Sequence, residues 1–280
     1  MTRPSVTRPV LPRSSVLASV ATVVLTSTAT TVGLFVPGFY RDAPVLLPQV
    51  YGQDLLTLVV AVPALVASLF FAVRGSLRAY VAWLGVTGYL LYTYASYAFM
   101  TAFNELYLVY VALLWLTLFA FVDGMARLDP AALKRRIGES SVRSYVAFQL
   151  LLVGLVSALW LSAVLPAILA GTTPPSIADA GLPTSVIYSL DLGIVVPAFA
   201  LSAHWLRNRR PWGYAFTAVL LVKIATLGGA VLAMTLFMIR DGQSVPAPQI
   251  VIFGALTLVG AVLTGRFLYS IGPETGPVVD

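Results

Sequence analysis

The sequence predicts an all-α integral membrane protein, built as a bundle of eight transmembrane helices. Hydrophobic residues make up 59% of its 280 residues and charged residues only 10%, whereas soluble globular chains carry about 25% charged residues. The apolar residues form long runs, and most charges lie in short clusters between those runs. This pattern excludes a soluble fold and a nucleic-acid partner, although the formal net charge is +6.

Eight apolar runs are long enough to cross the hydrocarbon core of a bilayer, which takes about 20 helical residues. Turn-forming sequences such as Pro37-Gly38, Arg74-Gly75-Ser76 and Asp241-Gly242 separate them. The predicted spans cover residues 15–37, 54–73, 79–100, 104–122, 145–170, 185–206, 212–239 and 249–270. Because the connections are short, we expect a single transmembrane domain over residues 1–280 and no soluble domain.

Basic residues indicate how the bundle is oriented, because Lys and Arg near span ends are retained on the cytoplasmic side. If the basic segment 1–13 is cytoplasmic, every Lys and Arg except Arg41, Arg240 and Lys223 falls at the cytoplasmic end of the bundle. Most acidic residues fall toward the other end. We therefore predict a multi-pass protein of the cell membrane, with membrane lipids around it and both termini in the cytoplasm.

The first span also allows an interpretation as a cleaved signal peptide, since three arginines precede it. Its apolar run is longer than the roughly 7–15 residues typical of a signal peptide, so we expect it to stay in the protein. Cleavage would leave seven helices and an external N-terminus. The basic connection 123–144, with Lys134-Arg135-Arg136, is typical of a cytoplasmic helix or turn that contacts anionic headgroups.

A weak internal repeat relates the two halves of the chain, residues 1–140 and 141–280. A shift of 134 residues aligns Val62-Pro63-Ala64 with Val196-Pro197-Ala198, and it lays the first three spans over the fifth to the seventh. Each half would contain an even number of spans, so the repeats would be parallel and related by an axis along the membrane normal. The sequence thus indicates a 4+4 duplication.

Ionisable residues within spans are costly, so each is a candidate binding residue. Lys223 lies near the middle of the seventh span, and Asp191 lies within the outer half of the sixth. Consecutive antiparallel helices usually pack side by side. We therefore predict an Asp191–Lys223 ion pair, which would either fix the register of the two helices or form a functional site.

Further polar residues are predicted near the outer mouth of the bundle. Asp54 and Glu105 fall in the first turns of predicted spans, where acids complement the helix dipole, and Asn104 is expected to be an N-cap. All three also lie near the mouth on which Asp191 would open. Tyr89 and Tyr92 share one face of the third span, so we expect their hydroxyls to form hydrogen bonds inside the bundle.

Several function classes are excluded because their residues are missing. The chain has no Cys, its one His, His204, lies at a span end, and it contains no HExxH, DxxD, GxSxG or Walker motif. The sequence therefore predicts no metal site and no cofactor. Lys223 is a poor candidate for a retinal Schiff base, because Val219 stands where microbial retinal proteins carry an aspartate.

Four groups of short motifs lie between about residues 50 and 230. They are Tyr51-Gly52-Gln53-Asp54; Tyr97-Ala98-Phe99 with Asn104 and Tyr107-Leu108; the stretch from Asp191 to Pro197-Ala198; and Pro211-Trp212-Gly213-Tyr214 with Lys223. Together they resemble a group of prokaryotic multi-pass membrane proteins of unknown function. The resemblance implies a membrane bundle and no particular activity.

Three functions are compatible with these patterns. The first is a small-solute or proton-coupled transporter, with Asp191 and Lys223 as gate or binding site. The second is an intramembrane enzyme acting on a lipid or isoprenoid, with Asp54, Glu105 or Asp191 as general acid. The third is an accessory or sensory subunit without turnover. A polar cavity would favour transport, an apolar cleft open to lipid would favour the enzyme, and a dry core would favour the subunit.

Overall fold

The computed structural model describes residues 11–138 and 141–272, and this part of the chain is helical without any strand. The first half contains α1 (Arg13–Phe35), α2 (Leu47–Leu56), α3 (Val62–Ala72), α4 (Leu77–Met100), α5 (Tyr107–Arg127) and α6 (Pro130–Ile137). The second half contains α7 (Arg143–Ala170), α8 (Pro175–Ala178), α9 (Val186–Leu190), α10 (Val196–Arg207), α11 (Pro211–Arg240) and α12 (Ala247–Ser270). Most of the basic segment 1–13 and the C-terminal end lie outside the described residues.

Two pairs of helices are joined by a π-helical turn into one continuous rod. Thr57–Ala61 joins α2 to α3, and Asp191–Val195 joins α9 to α10. Each turn is followed by a proline at the second position of the next helix, Pro63 in α3 and Pro197 in α10. Proline lacks the N–H that a regular helix would use, so a widened turn is accommodated where one hydrogen bond is already missing.

Seven helical segments in the described part are long and apolar enough to cross a membrane. They are Arg13–Phe35, Leu47–Val73, Tyr107–Arg127, Arg143–Ala170, Val186–Arg207, Pro211–Arg240 and Ile250–Ser270. The protein is therefore a multi-pass membrane protein by the length and composition of its helices. The predicted count of eight spans is not confirmed. Helix α4 has 24 residues, but its tyrosines, threonines and serine lower its hydropathy.

Two predicted helix starts were wrong. The second rod begins at Leu47, so Asp54 lies well inside a helix and not in its first turn. Helix α5 begins at Tyr107, after Asn104 and Glu105. The residues 47–53 include Pro, Gly and Gln, which are poor markers of a membrane helix. Packing against α11 provides the stabilisation that local propensity does not indicate.

Helices α4 and α11 form the centre of the bundle. They pack against each other, α4 also packs on α3 and α5, and α11 also packs on α2, α10 and α12. Gly85 permits the central contact, because a Cβ at this position would collide with Val222 and with the carbonyl of Val219. Small residues let membrane helices approach closely, and the bundle uses this at its central crossing.

The bundle has an arginine-rich end, at which α4 begins and α12 ends. Arg78 donates hydrogen bonds to the carbonyls of Tyr269 and Ile271. Lys134 of the short helix α6 donates to the carbonyl of Arg209 at 2.7 Å. The predicted basic connection thus includes a helix that lies against the loop before α11. The opposite end, where α5 begins and α11 ends, is called the acidic end below.

Candidate functional site

Asp191 and Lys223 do not form the predicted ion pair in the described part of the chain. Tyr92 of α4 links them instead: Lys223 Nζ lies 4.2 Å from the centroid of the Tyr92 ring, and the Tyr92 hydroxyl donates to Asp191 Oδ1 at 2.9 Å. The ring face attracts the ammonium through its quadrupole, while the hydroxyl holds the carboxylate. The two residues the sequence nominated are therefore coupled through a third residue, from the neighbouring central helix.

Asp191 is held by two aromatic donors. Its second oxygen, Oδ2, accepts a hydrogen bond from Trp160 Nε1 of α7 at 2.8 Å. The Trp160 ring packs on Tyr188, with ring centroids 4.5 Å apart. Asp191 is half-buried and begins the second π turn. Each Asp191 oxygen therefore has a hydrogen-bond donor within the bundle, which compensates part of the water that the carboxylate loses on burial.

Lys223 is the less satisfied member of this group. Its side chain is buried, with 6% of the residue exposed, and its Nζ has no hydrogen-bond partner among the described residues. A cation over an aromatic ring gains about 2 kcal/mol when desolvated. Taking an ammonium out of water costs several kcal/mol. The Tyr92 ring therefore compensates only part of the desolvation cost of the amine. A hydrogen-bond acceptor would be needed to compensate the rest.

Beyond Lys223, α11 is more exposed, although it still packs on α2 and α12. Most α11 residues from the arginine-rich end up to Lys223 are buried, but beyond it only Ala230 and Thr235 are. Helices α7 and α12 meet through Tyr145 and Phe267, whose ring centroids are 5.1 Å apart near the arginine-rich end. They do not share the extended interface that α1 and α5 form in the first half. The interface between α7 and α12 is therefore less extensive than the one between α1 and α5.

A cleft of about 630 Å³ lies at the acidic end between α7 and α9. Its lining is mainly apolar, with hydroxyl groups at the rim, and includes Val164, Ile168, Leu192, Ser185, Ser189 and Tyr188. Tyr188 is also the residue that packs on Trp160. This aromatic pair therefore lies between the cleft and the Asp191 carboxylate.

Asp54 occupies a different, closed environment. It is 1% exposed, and it accepts hydrogen bonds from the hydroxyls of Tyr40 at 2.5 Å and Tyr97 at 2.9 Å. Gly33 of α1 faces this cluster, and a Cβ there would overlap both Asp54 and Tyr40. The carboxylate is thus sealed by phenols and by a close helix approach, which leaves no space for a solute beside it.

Tyr89 belongs to the first half, although it shares a helix face with Tyr92. Its hydroxyl is 2.8 Å from the Thr57 hydroxyl and accepts a hydrogen bond from Gln53 Nε2 at 3.1 Å. Gln53 also donates to Thr93 at 2.7 Å. These groups are buried and mutually satisfied. The two tyrosines therefore belong to different hydrogen-bonding clusters: Tyr89 contacts Thr57 and Gln53, whereas Tyr92 contacts Asp191.

Asn104 and Glu105 fix a loop at the acidic end. Glu105 pairs with Arg41, and the two side chains are 64% and 56% exposed. A backbone hydrogen bond and the Arg41 guanidinium hold the pKa of Glu105 below its usual value. Asn104 is buried; its side chain accepts from the Leu106 N–H at 3.0 Å and donates to the Ala102 carbonyl at 3.2 Å. The structure does not bring either residue to Asp191.

The sequence analysis did not nominate Trp160 or Tyr188, which complete the surroundings of Asp191. One signal was available for Trp160. Tryptophan concentrates at the ends of spans, and Trp160 lies near the middle of α7. A mid-span indole N–H needs an acceptor, which is the role that Asp191 fills. Tyr40 and Tyr97, the donors to Asp54, come from segments whose sequence gives no such signal.

No protein-family model matches the chain, and no curated protein or solved structure is detectably similar to it. The short-motif resemblance therefore provides no family assignment. What can be concluded about function comes from the composition of the helices and from the geometry around Lys223.

Proposed function

We propose that the chain is a duplication of two four-helix units, with α4 as an eighth transmembrane helix. The two π turns, Thr57–Ala61 and Asp191–Val195, are related by the same 134-residue shift that aligns the proline motifs. The first residues of α4 and α11, Leu77 and Pro211, are related by it as well. Because π turns are rare, their recurrence at this shift supports common ancestry of the halves.

The central crossing supports a parallel arrangement of the two units. Gly85 and Val219 are counterparts under the shift, and they meet where α4 crosses α11. Contact between equivalent residues is expected at a two-fold axis. With four helices in each unit, that axis would run along the membrane normal. A helix beside such an axis is surrounded by other helices, so it needs less apolar surface than a helix that faces lipid. This agrees with the tyrosines, threonines and serine of α4.

We further propose that the protein moves a small solute across the membrane, with Lys223, Tyr92 and Asp191 as its binding site. The observation that carries this proposal is the Lys223 amine, which is buried in mid-helix beside the Tyr92 ring and has no hydrogen-bond partner among the described residues. A charge retained inside a membrane bundle usually marks a solute or ion pathway. An adjacent irregular helix is a common feature of such sites.

The corresponding residues of the first half support the choice of site. Under the 134-residue shift, Thr57 is the counterpart of Asp191 and Tyr89 is the counterpart of Lys223. Thr57 and Tyr89 form a direct, buried hydrogen bond. The same two positions thus carry a closed neutral pair in one unit and two separated charges in the other.

The alternatives fit the geometry less well. Asp54 is sealed by phenols and Glu105 is paired at the surface, so neither is placed to protonate a lipid substrate. An accessory subunit with a dry core would have little reason to retain a buried amine that finds no hydrogen-bond partner in the described part of the chain.

Reconstituted vesicles would test the proposal. Charge movement and uptake would be measured with a panel of amino acids, monocarboxylates, dicarboxylates and sugars. We expect at least one solute to be transported by the native protein and not by the double variant Asp191→Asn/Lys223→Met. The matched control is Thr57→Val/Tyr89→Phe, which removes the counterpart hydrogen bond but no charge and should keep transport. Transport by the double variant at the native rate, or no transport of any panel member by the native protein, would contradict the proposal.

We also propose that the arginine-rich end faces the cytoplasm of a cell with this protein in its cell membrane, which places both termini inside. Because the chain has no cysteine, single substitutions can report the topology. Ala132→Cys should be labelled by an impermeant maleimide only after the membrane is opened, whereas Gln243→Cys should be labelled in intact cells. The reverse labelling would overturn the orientation.

A further inference from the structure

We infer that Lys223 binds the carboxylate of an amphipathic acid, a molecule with one carboxylate and an apolar body. This inference rests on the proposed transport function and names the class of solute that the same site takes. The inference has three grounds. The Lys223 amine lacks a hydrogen-bond acceptor, Asp191 does not provide one, and the side chains near the amine are apolar.

The unmet requirement at Lys223 is a hydrogen-bond acceptor. An ammonium carries three donors, and none of them finds an acceptor among the described residues. The Tyr92 ring at 4.2 Å offers electrostatic attraction but no lone pair directed at an N–H group. An anionic oxygen is the acceptor that would satisfy both the charge and the hydrogen bonds.

Asp191 does not supply that oxygen. The Tyr92 residue stands between the two groups, because its ring contacts the amine and its hydroxyl contacts the carboxylate. Both carboxylate oxygens already hold a donor, from Tyr92 and from Trp160. A cationic solute would be repelled by Lys223, and each Asp191 oxygen already accepts one hydrogen bond. The arrangement therefore favours an anion at Lys223.

The surfaces beyond the amine suit an apolar body. Ile224 and Leu227, in the α11 turn that follows Lys223, are only partly buried. The cleft at the acidic end, lined in part by Ile168 and Leu192, is a separate space, because Tyr188 and Trp160 lie between it and Asp191. In an acid with a hydrocarbon chain, the carboxylate would bind the Lys223 amine and the chain would contact apolar side chains near it.

Such an acid has two sources, the aqueous phase and the bilayer, because Lys223 lies within a membrane-spanning helix. Octanoate represents the soluble source and oleate in lipid nanodiscs represents the membrane source. Octanol and octylamine have the same chain length as octanoate without its negative charge. Stabilisation by octanoate alone assigns the site to a soluble acid, and stabilisation by oleate as well assigns it to fatty acids of the bilayer. Either result supports a carboxylate at Lys223.

The decisive measurement is the affinity for octanoate of the purified protein in a neutral detergent, from thermal shift and calorimetry. We expect Lys223→Met to bind octanoate roughly 10- to 100-fold more weakly, because a charge-assisted hydrogen bond is lost. Lys134→Met removes the chain's other lysine and should bind like the native protein. Equal affinity of the native protein and Lys223→Met, or equal affinity for octanol and octanoate, would overturn the inference.

A spectroscopic test avoids any change at Lys223. In ¹⁵N-lysine-labelled Lys134→Met protein, Lys223 gives the only side-chain amine signal. That signal should move with octanoate and stay fixed with octanol; a signal unmoved by saturating octanoate would contradict the inference. Lys223-dependent binding without uptake into vesicles would reject the transport proposal and keep the inference. Uptake of another solute class without octanoate binding would keep the transport proposal and reject the inference.

Discussion

The two halves of the bundle share one backbone feature, a π turn followed by a proline, but they place different polar groups around it. In each half a π turn and a proline interrupt a long helix. In the first half the neighbouring polar groups are sealed and mutually hydrogen-bonded: Thr57 with Tyr89, and Asp54 with two phenols. In the second half the counterpart positions carry Asp191 and Lys223, bridged by an aromatic ring. The comparison teaches that an irregular helix becomes a candidate site only when its polar groups are left incompletely satisfied.

The difference also has an energetic meaning. A closed, neutral network stabilises the fold and costs little desolvation, since every donor has an acceptor. A buried ammonium without an acceptor destabilises the fold, and such costs are retained where function requires them. We therefore expect changes in the first half to lower stability more than changes around Lys223, and removal of the Lys223 amine to lower function without lowering stability.

The largest effect is expected for Gly52→Leu in the first half. A Cβ at Gly52 would lie 2.4 Å from backbone atoms of Met234, which cannot move aside as a side chain could. The overpacked contact between α2 and α11 should lower the free energy of unfolding by about 3 kcal/mol or more, measured as the melting temperature in detergent. Gly193→Ala, in the second π turn where nothing lies within 4 Å of a Cβ, should leave it unchanged. Equal losses would show that the two halves are packed alike.

A second contrast compares the two carboxylates. Asp54→Asn should lower the free energy of unfolding by about 2 kcal/mol, because one of its two buried phenol donors loses its acceptor. Asp191→Asn, in a half-buried setting, should cost about 1 kcal/mol. Melting curves of both variants under one detergent condition give the comparison. A larger loss for Asp191→Asn would mean that the second half is the more tightly sealed one.

At Lys223 the sign of the effect is expected to reverse. Lys223→Met removes a buried amine that has no hydrogen-bond partner among the described residues, so the free energy of unfolding should rise by about 1 kcal/mol. The surface variant Lys134→Met provides the comparison and should not be stabilised. If Lys223→Met proved destabilised in chemical or thermal unfolding, the amine would have to be a structural partner in the native bundle.

The smallest effect concerns Asp42, in the loop before α2. Burial raises the pKa of its carboxyl, so the folded state holds the proton more tightly than the unfolded state does. Its contribution to stability is therefore present below the unfolded pKa and is lost as the pH rises through the folded pKa. Asp42→Asn should melt slightly higher than the native protein at pH 8, and the gap should shrink toward pH 4. A gap independent of pH would exclude this titration as its cause.

Much of the architecture could be predicted from sequence because it depends on local and additive properties. The length and apolarity of seven helices follow from the requirement that a spanning backbone be satisfied within its own segment. The charge of Lys223 within an apolar run marked it directly as a candidate. The 134-residue shift was visible in two proline motifs, and the structure adds the π turns at the same shift.

The starts of two helices and the membership of the clusters could not be predicted in the same way. Asp54 was expected in a first turn, but α2 extends to Leu47 because its Pro- and Gly-containing start packs on α11. Tyr89 and Tyr92 share a helix face, yet they contact different halves. Their assignment depends on how α4 is flanked by the two rods, which single-helix periodicity does not contain.

By itself, the sequence determined that this is a helical membrane protein with a cation and an anion retained inside its spans. Only the tertiary structure decided that these charges do not meet, that Tyr92 lies between them and that Trp160 holds the carboxylate. The physical reason is that the length and apolarity of each segment alone determine whether it can span the membrane. Hydrogen-bond partners are instead set by which helices approach, and that depends on close contacts such as Gly85 against Val222, far apart in the chain.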